Sequence, residues 1–298
     1  MKKEKDVKLE GKKKGIKKEV KLEERKLTEK EIVMRAVHAL NRGEEGNEIY
    51  NKLKEINEKN KAKIGEWDAR ALGWKIVNIT TNNKNNALEN VVWLIIKGAD
   101  YEAKDKHDRN ALMMAAWNDN IDIARLLLEL GCWIDKSDKY GCTPLMWAAR
   151  SGRRKAVEFL VERGANLFST NKEWKYAEDL AEDEGIRNFI INKKIEKIEE
   201  NAKKTGNPRL IEAIKSGDEK LVKMFLEKGD DVDAKDKDGT PALAVAAKMF
   251  HMNLVQILLD AGANVNAVDK EGRYADEVAV DPWAKKAIFK RRLKDLLS

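Results

Sequence analysis

Short apolar runs with helical spacing alternate along the chain with polar turns. Residues 123–128 and 254–259 are two such runs, and each is followed by a glycine, Gly131 or Gly262. Glycines in this position lie 33 residues apart at 98, 131 and 164, and again at 229 and 262. A glycine there ends a helix in the left-handed conformation without a Cβ clash. The fixed period predicts helical repeats, which bury their apolar faces only by stacking on one another.

The polar turns follow the same period. Residues 138–149 form a turn, then a Thr-Pro start, then a helix rich in small residues, and Leu112 in a related segment lies 33 residues before Leu145. We expect Thr143 to cap the helix and Pro144 to occupy its first turn, where a missing N–H costs nothing. The sequence therefore predicts a helix-turn-helix unit in each period.

In its period, its Thr-Pro starts and its Gly-Ala helix ends, the chain resembles the ankyrin repeat from about residue 87 to residue 298. The resemblance implies an all-α solenoid of stacked helix-turn-helix units with β-turn fingers, about seven units counting both caps. Asn110 and Pro241 stand where the repeat has a threonine at the start of the inner helix. We expect the loss of that threonine to loosen these two fingers without threatening the fold.

The chain is predicted to comprise four segments. Thr28 and Glu31 form a capping-box pattern ahead of the first apolar helix. After Gly185 the apolar residues continue without a Gly-Ala pair, which predicts one lengthened outer helix; we favour a continuous array there over two subarrays divided near residue 202. The segments are a basic, disordered tail (1–27), a helical N-terminal cap with a degenerate first repeat (28–86), ankyrin repeats (87–204), and further repeats with a C-terminal capping helix (205–298).

The net charge of +7 belongs mostly to the first 30 residues, which contain 13 Lys or Arg and 7 Asp or Glu. The rest of the chain is nearly neutral, so nucleic acid is not the expected partner. One alternative stays open, in which this basic terminus and the basic C-terminal helix tether the protein to nucleic acid or to an anionic membrane.

Catalytic and metal-binding motifs are absent from the sequence. It contains no Gly-Lys-Ser/Thr phosphate loop, no Gly-x-Ser-x-Gly elbow and no His-Glu-x-x-His pair. We therefore predict no catalytic residue, no metal, no cofactor and no enzymatic activity. Cys132 and Cys142 are predicted to be free thiols, with Cys132 buried and Cys142 on a finger where solvent can reach it.

The sequence also bears on the location and the source of the protein. No stretch is apolar enough to span a membrane, and the N-terminus lacks the apolar core of a secretory signal. We expect a cytoplasmic monomer, and export as an effector by another route stays open. The high lysine and asparagine content favours a bacterial source.

The resemblance implies a non-catalytic scaffold that binds a protein partner through finger tips and a concave groove. An inhibitor, an immunity protein or a host-directed effector using the same groove is the alternative. The expected binding residues lie on the fingers and at the ends of the inner helices. They are Lys106, His107, Arg109, Trp117, Asn118, Lys139, Tyr140, Arg150, Ser151, Lys172, Trp174, Lys237, Lys248, Met249, Lys270 and Arg273.

Four of these residues are expected to dominate the binding energy: Trp117, Tyr140, Arg150 and Trp174. Aromatic and arginine side chains contribute most when a partner desolvates them. The other tryptophans of the repeats, Trp133, Trp147 and Trp283, are expected to be packing residues.

Overall fold

The computed structural model describes residues 28–42, 48–82 and 87–297, although the side chains of residues 81 and 82 are not described. These residues form sixteen helices, together with two isolated β-bridges, Lys235 with Pro241 and Val268 with Tyr274. The predicted basic tail (1–27) and most of the polar turn before residue 87 lie outside the described residues. None of the described helices is long and apolar enough to cross a membrane.

The chain divides into two compact units between Lys139 and Tyr140. The described residues of the first unit form six helices. They are α1 (Glu29–Asn41), α2 (Glu48–Ile64), α3 (Glu66–Asn82), α4 (Ala87–Ile96), α5 (Ala111–Trp117) and α6 (Ile121–Glu129).

In the first unit, the inner helices α3 and α5 pack on each other and on their outer helices α4 and α6. Helices α1 and α2 pack on the outer helices, and the predicted capping box of Thr28 and Glu31 is present at the start of α1. The buried amide of Asn57 donates to the carbonyls of Ile95 (2.7 Å) and Ala99 (2.9 Å), so α2 satisfies backbone groups at the end of α4.

The second unit contains ten helices, which form five further inner and outer pairs. They are α7 (Pro144–Arg150), α8 (Arg154–Glu162), α9 (Ala177–Leu180), α10 (Glu184–Thr205), α11 (Arg209–Ser216), α12 (Glu219–Glu227), α13 (Ala242–Lys248), α14 (Met252–Asp260), α15 (Ala275–Val278) and α16 (Pro282–Leu297). With the pair α1 and α2, the described residues contain eight helix pairs, slightly more than the sequence indicates.

The inner helices begin at the predicted capping residues. The hydroxyl of Thr143 accepts a hydrogen bond from the backbone N–H of Met146 at 3.4 Å. Asn110 was expected to lack such a bond, but its side chain accepts from Met113 N–H at 3.0 Å, because asparagine is as good an N-cap as threonine. At Pro241 the side-chain cap is missing, as expected.

The predicted lengthened outer helix is α10, a single helix of 22 residues. It packs on α9 and α11, and the same hydrophobic core holds Ile198 of α10 together with Leu210 of α11 and Leu243 of α13. Helices α10 and α11 therefore share one hydrophobic core on both sides of residue 202.

A fully buried lysine fixes α10 between its neighbours. The ammonium of Lys194 lies 2.5 Å from Glu178 Oε1 in α9 and 2.8 Å from Asp218 Oδ2 at the start of α12. The ring of Tyr176 covers it, with 3.7 Å between Nζ and the ring centroid. Burial raises the pKa of Glu178 above its ordinary value, and the Lys194 charge opposes that rise. One cation thus compensates two carboxylates that would otherwise be buried without a counter-charge.

We predict that Lys194→Met lowers the free energy of unfolding by about 3 kcal/mol or more, because it leaves two buried carboxylates uncompensated. The triple variant Lys194→Met/Glu178→Gln/Asp218→Asn should recover most of this loss, since it removes all three charges and keeps an N-cap at Asp218. Urea denaturation followed by circular dichroism measures both effects.

The matched control is Lys193→Met, since Lys193 forms a solvent-accessible ion pair with Glu196 and lies 5.9 Å from the centroid of the Phe189 ring, without a buried carboxylate partner. Its loss should change the stability by less than about 1 kcal/mol. A triple variant as unstable as Lys194→Met would show that the lysine does not act as a counter-charge.

Candidate functional site

The candidate site is built from five-residue turns, called fingers here, that precede inner helices. They comprise residues 105–109, 138–142, 171–175, 236–240 and 269–273. In four of them, the side-chain oxygen of the first residue accepts backbone N–H groups from the third and fifth residues, as Asn171 does from Glu173 (2.9 Å) and Lys175 (3.0 Å). The corresponding first residues of the other three are Asp105, Asp236 and Asp269. A single acidic or amide side chain therefore closes each of these turns.

Neighbouring fingers are joined through their second residues. The N–H of Lys139 donates to the carbonyl of His107 at 3.1 Å in the first unit, and the N–H of Lys172 donates to Tyr140 at 2.9 Å in the second unit. The helix pair before Lys237, α11 and α12, begins directly after α10 without a finger, and the N–H of Lys237 donates instead to the side-chain oxygen of Asn207 at 2.8 Å. The backbone of each lysine is thus fixed, and the side chains of Lys172 and Lys237 are exposed whereas that of Lys139 is half-buried.

The fourth residue of each finger adopts the left-handed conformation. Glycine occupies this position in three fingers, at Gly141, Gly239 and Gly272, with φ between 75° and 81°. Asp108 and Trp174 occupy it in the other two, each with φ of 60°. Aspartate tolerates this region, whereas a bulky side chain rarely adopts it.

The aspartates that close fingers also hold arginines. Burial alone would raise the pKa of Asp269, but hydrogen bonds from the backbone and guanidinium of Arg273 outweigh it and bring the pKa to about 2. In the same way, despite burial, Arg109 lowers the pKa of Asp105, to which its guanidinium is bound at 2.6 Å. These two arginines, predicted as binding residues, therefore have a structural role within their own fingers.

The predicted residues of the first unit differ in exposure. Lys106 is exposed, whereas the others are half-buried: His107, Arg109, Trp117, Asn118 and Lys139. The amide of Asn118 donates to the backbone carbonyl of Thr80 at 2.7 Å and so ties the end of α5 to α3. This group comprises three residues of one finger, the end of an inner helix and the second residue of the next finger.

Most predicted residues of the second unit are exposed. Only Ser151 is half-buried, and its hydroxyl donates to the carbonyl of Trp147 at 2.8 Å. Two aromatic side chains on adjacent fingers stand out, Trp174 at 84% and Tyr140 at 54% exposure. The other exposed residues are Arg150, Lys172, Lys237, Lys248, Met249, Lys270 and Arg273.

Several packing expectations are wrong. Trp133 and Trp283 are 61% and 47% exposed, because each stands on the outward side of its turn or helix. Trp147 is only half-buried. Cys142 is buried, with its sulfur 3.9 Å from the amide of Asn171 on the next finger. Cys132 is buried as expected, and burial raises the pKa of its thiol well above the ordinary value.

Sequence reasoning missed an exposed aromatic face on α3. Trp67 and Trp74 are 88% and 57% exposed, and seven residues separate them, which places them on one side of the helix. The helical spacing of the two tryptophans can be seen in the sequence. That this side of α3 is left uncovered can be seen only in the structure. Among the described residues, no cluster of three or more His, Cys, Asp or Glu side chains could hold a metal ion.

Comparison with known proteins identifies the repeat. A family model described as ankyrin repeats in three copies matches residues 79–171 and 181–280. The chain is 38% identical to a putative E3 ubiquitin-protein ligase, XBAT34 from Arabidopsis thaliana, over 36% of this chain and 29% of that protein.

Two further relatives show the same partial overlap. The probable 26S proteasome regulatory subunit p28 of Saccharomyces cerevisiae is 34% identical over 34% of this chain and 45% of its own length. Ankyrin repeat domain-containing protein 63 of Mus musculus is 32% identical over 31% of this chain and 25% of its own length. The matches span less than half of each of these three relatives, which come from a plant, a yeast and a mouse, and a bacterial source stays a prediction.

We predict that Asp269→Asn removes a pH-dependent part of the stability and preserves the finger. The folded-state pKa of about 2 lies below the ordinary value, so the Asp269 charge stabilises the fold above about pH 4 and loses this effect as the pH falls toward 2. The thermal midpoint of the variant should lie below that of the wild type at pH 5, and the difference should vanish near pH 2. A difference that stays constant with pH would contradict this account.

Proposed function

Because the chain belongs to the ankyrin-repeat family, we propose that it is a non-catalytic scaffold that binds a protein partner through its finger tips and the exposed ends of its inner helices. Ankyrin repeats generally mediate protein–protein interaction, and the preformed fingers would lose little entropy on docking. The ligase activity in the name of one relative belongs to that protein, of which less than a third is matched. We further propose a cytoplasmic location, which the free thiols of Cys132 and Cys142 support.

The observation that carries this proposal is the conformation of Trp174. A non-glycine residue in the left-handed region costs about 1 kcal/mol, and glycine occupies the same place in three other fingers. The indole does not recover this cost by packing, because 84% of it is exposed. A strained, solvent-exposed tryptophan supports a role in binding rather than in folding.

The surroundings of Trp174 suit a protein interface. Tyr140 lies on the preceding finger, which the backbone bond from Lys172 holds in place. Arg150 is exposed at the end of α7 in the same unit. Tryptophan, tyrosine and arginine are the residue types most enriched among binding hot spots.

We predict that Trp174→Gly stabilises the protein and weakens binding. Relief of the left-handed conformation should raise the free energy of unfolding by about 1 kcal/mol. Loss of a hot spot costs about 2 kcal/mol, so the affinity should fall roughly 30-fold. The partner is first captured from lysate at physiological and at about threefold higher salt, and its affinity for purified wild type and variant is then measured by calorimetry.

The matched control is Asp108→Gly, which relieves the same conformation in a finger of the first unit. It should leave the affinity for the captured partner unchanged. A destabilising Trp174→Gly substitution, or one without effect on affinity, would refute the binding role of Trp174. Capture of nucleic acid or lipid alone, lost at the higher salt, would instead support the tether.

A further inference from the structure

Helix α16 repeats the way in which α10 is anchored. Tyr274, Asp276 and Arg292 have the same spacing as Tyr176, Glu178 and Lys194, at a distance of 98 residues. The Arg292 guanidinium lies 4.0 Å from the centroid of the Tyr274 ring, and its Nη1 lies 3.0 Å from Asp276 Oδ1. The tyrosine, the carboxylate and the cation therefore meet in both places.

The equivalence extends along the buried sides of both helices. Each helix starts at an aspartate whose Oδ1 accepts the N–H three residues later, at 2.8 Å in α10 and 2.9 Å in α16. The next two inward positions are buried in both helices. The matching residues are Asp183 with Asp281, Ile186 with Ala284, and Ile190 with Ile288.

Closer to their C-termini, the two helices differ. Ile198 of α10 is 1% exposed, because it belongs to the core formed with α11 and α12, and Ile195 packs against the same core. The equivalent residues of α16 are Leu296 and Leu293, which are 70% and 48% exposed. The side of α10 that a following helix pair covers is thus uncovered on α16 within the described residues.

The charges differ in the same way. Lys194 binds a second carboxylate, Asp218, which caps the second helix of the covering pair. Arg292 has a single carboxylate, Asp276, within 4.0 Å among the described residues. Helix α16 also carries six basic residues and only one acidic residue, Asp295.

We propose that the outer face of α16, formed by Phe289, Leu293, Leu296, Leu297 and Arg292, docks a helix pair of a partner protein that is built like α11 and α12. The apolar side chains of that pair cover the leucines, and a carboxylate at the start of its second helix binds Arg292. The surface is separate from the fingers.

Charge and shape together select this occupant. Two copies of α16 facing each other would bring twelve basic residues together, which opposes a symmetric dimer. A polyanion alone would leave the exposed apolar side chains in water. A helix pair with an apolar side and a carboxylate at the start of its second helix satisfies both the leucines and the arginine, as α11 and α12 do for α10.

The first test uses the helix pair that the chain itself supplies. A fluorescein-labelled synthetic peptide of residues 199–228 is titrated with the full chain and followed by fluorescence anisotropy. We expect saturable binding that weakens at least tenfold with Leu293→Asp and is unchanged by Met34→Asp, a substitution of another exposed apolar residue, on α1. The peptide that carries Asp218→Asn should bind the wild-type chain more weakly than the unmodified peptide does. The Arg292→Gln chain should bind this peptide no more weakly than it binds the unmodified one.

A second experiment tests the docking within one chain, so that it does not depend on the affinity between two molecules. Residues 199–234 are placed directly after Leu296 in the full chain, and helix content is measured by circular dichroism. The added segment should gain the 8 and 9 helical residues of α11 and α12, and Leu293→Asp should abolish the gain.

Three outcomes overturn the proposal. The first is that the added segment stays unfolded and that the native chain also fails to bind the peptide. The second is binding of the native chain to vesicles containing anionic lipid that Leu293→Asp abolishes, which assigns the face to a bilayer. The third is self-association in sedimentation velocity that the same substitution abolishes, which assigns it to a second copy.

Discussion

One side-chain oxygen at the first position sets the geometry of the fingers. At Asp105, Asn171, Asp236 and Asp269 it accepts two backbone N–H groups and draws the next four residues into a closed turn. Since the first residue holds each of these four turns, different residue types can occupy the second to fourth positions. Lysine, histidine and tryptophan therefore occupy tips with the same backbone.

The stack beneath the fingers follows from small inner helices and specific long-range pairs. Alanines such as Ala148 and Ala149 are fully buried and let neighbouring helices approach closely. Where the inner helix shortens to four residues, at α9 and α15, an ion pair under a tyrosine replaces part of the lost apolar contact. Inner helices of the described residues thus pack through small apolar side chains, and beside the shortened helices α9 and α15 they also pack through an ion pair under a tyrosine.

Much of the fold could be predicted from the sequence, because its determinants are local. The period of 33, the N-cap at Thr143 and the lengthened helix after Gly185 all depend on residues close together in the chain. The exposure of Trp133 and the burial of Cys142 depend on contacts between repeats, which spacing does not reveal. Lys194 is a further example, because a lysine within an apolar row of a helix indicates a solvent-facing position. Only the structure shows that Glu178 and Asp218, from other parts of the chain, pair with it in the core.

For the candidate site, the sequence identified which residues lie on the fingers but not how each side chain is used. Arg109 and Arg273 looked like binding residues and are bound to their own aspartates. The place of Trp174 was readable, because glycine recurs three residues after the first position of other fingers. Its strain could be recognised only once the backbone angle was known.

The buried triad of Lys194, Glu178 and Asp218 also constrains how this protein can diverge over generations. Loss of Lys194 alone leaves two carboxylates in the core without compensation, so its single replacement passes through a less stable intermediate. Replacement of all three together does not. Descendants of this sequence should therefore keep Lys194 for as long as they keep both carboxylates, and sequences with both carboxylates but without the lysine should be rare.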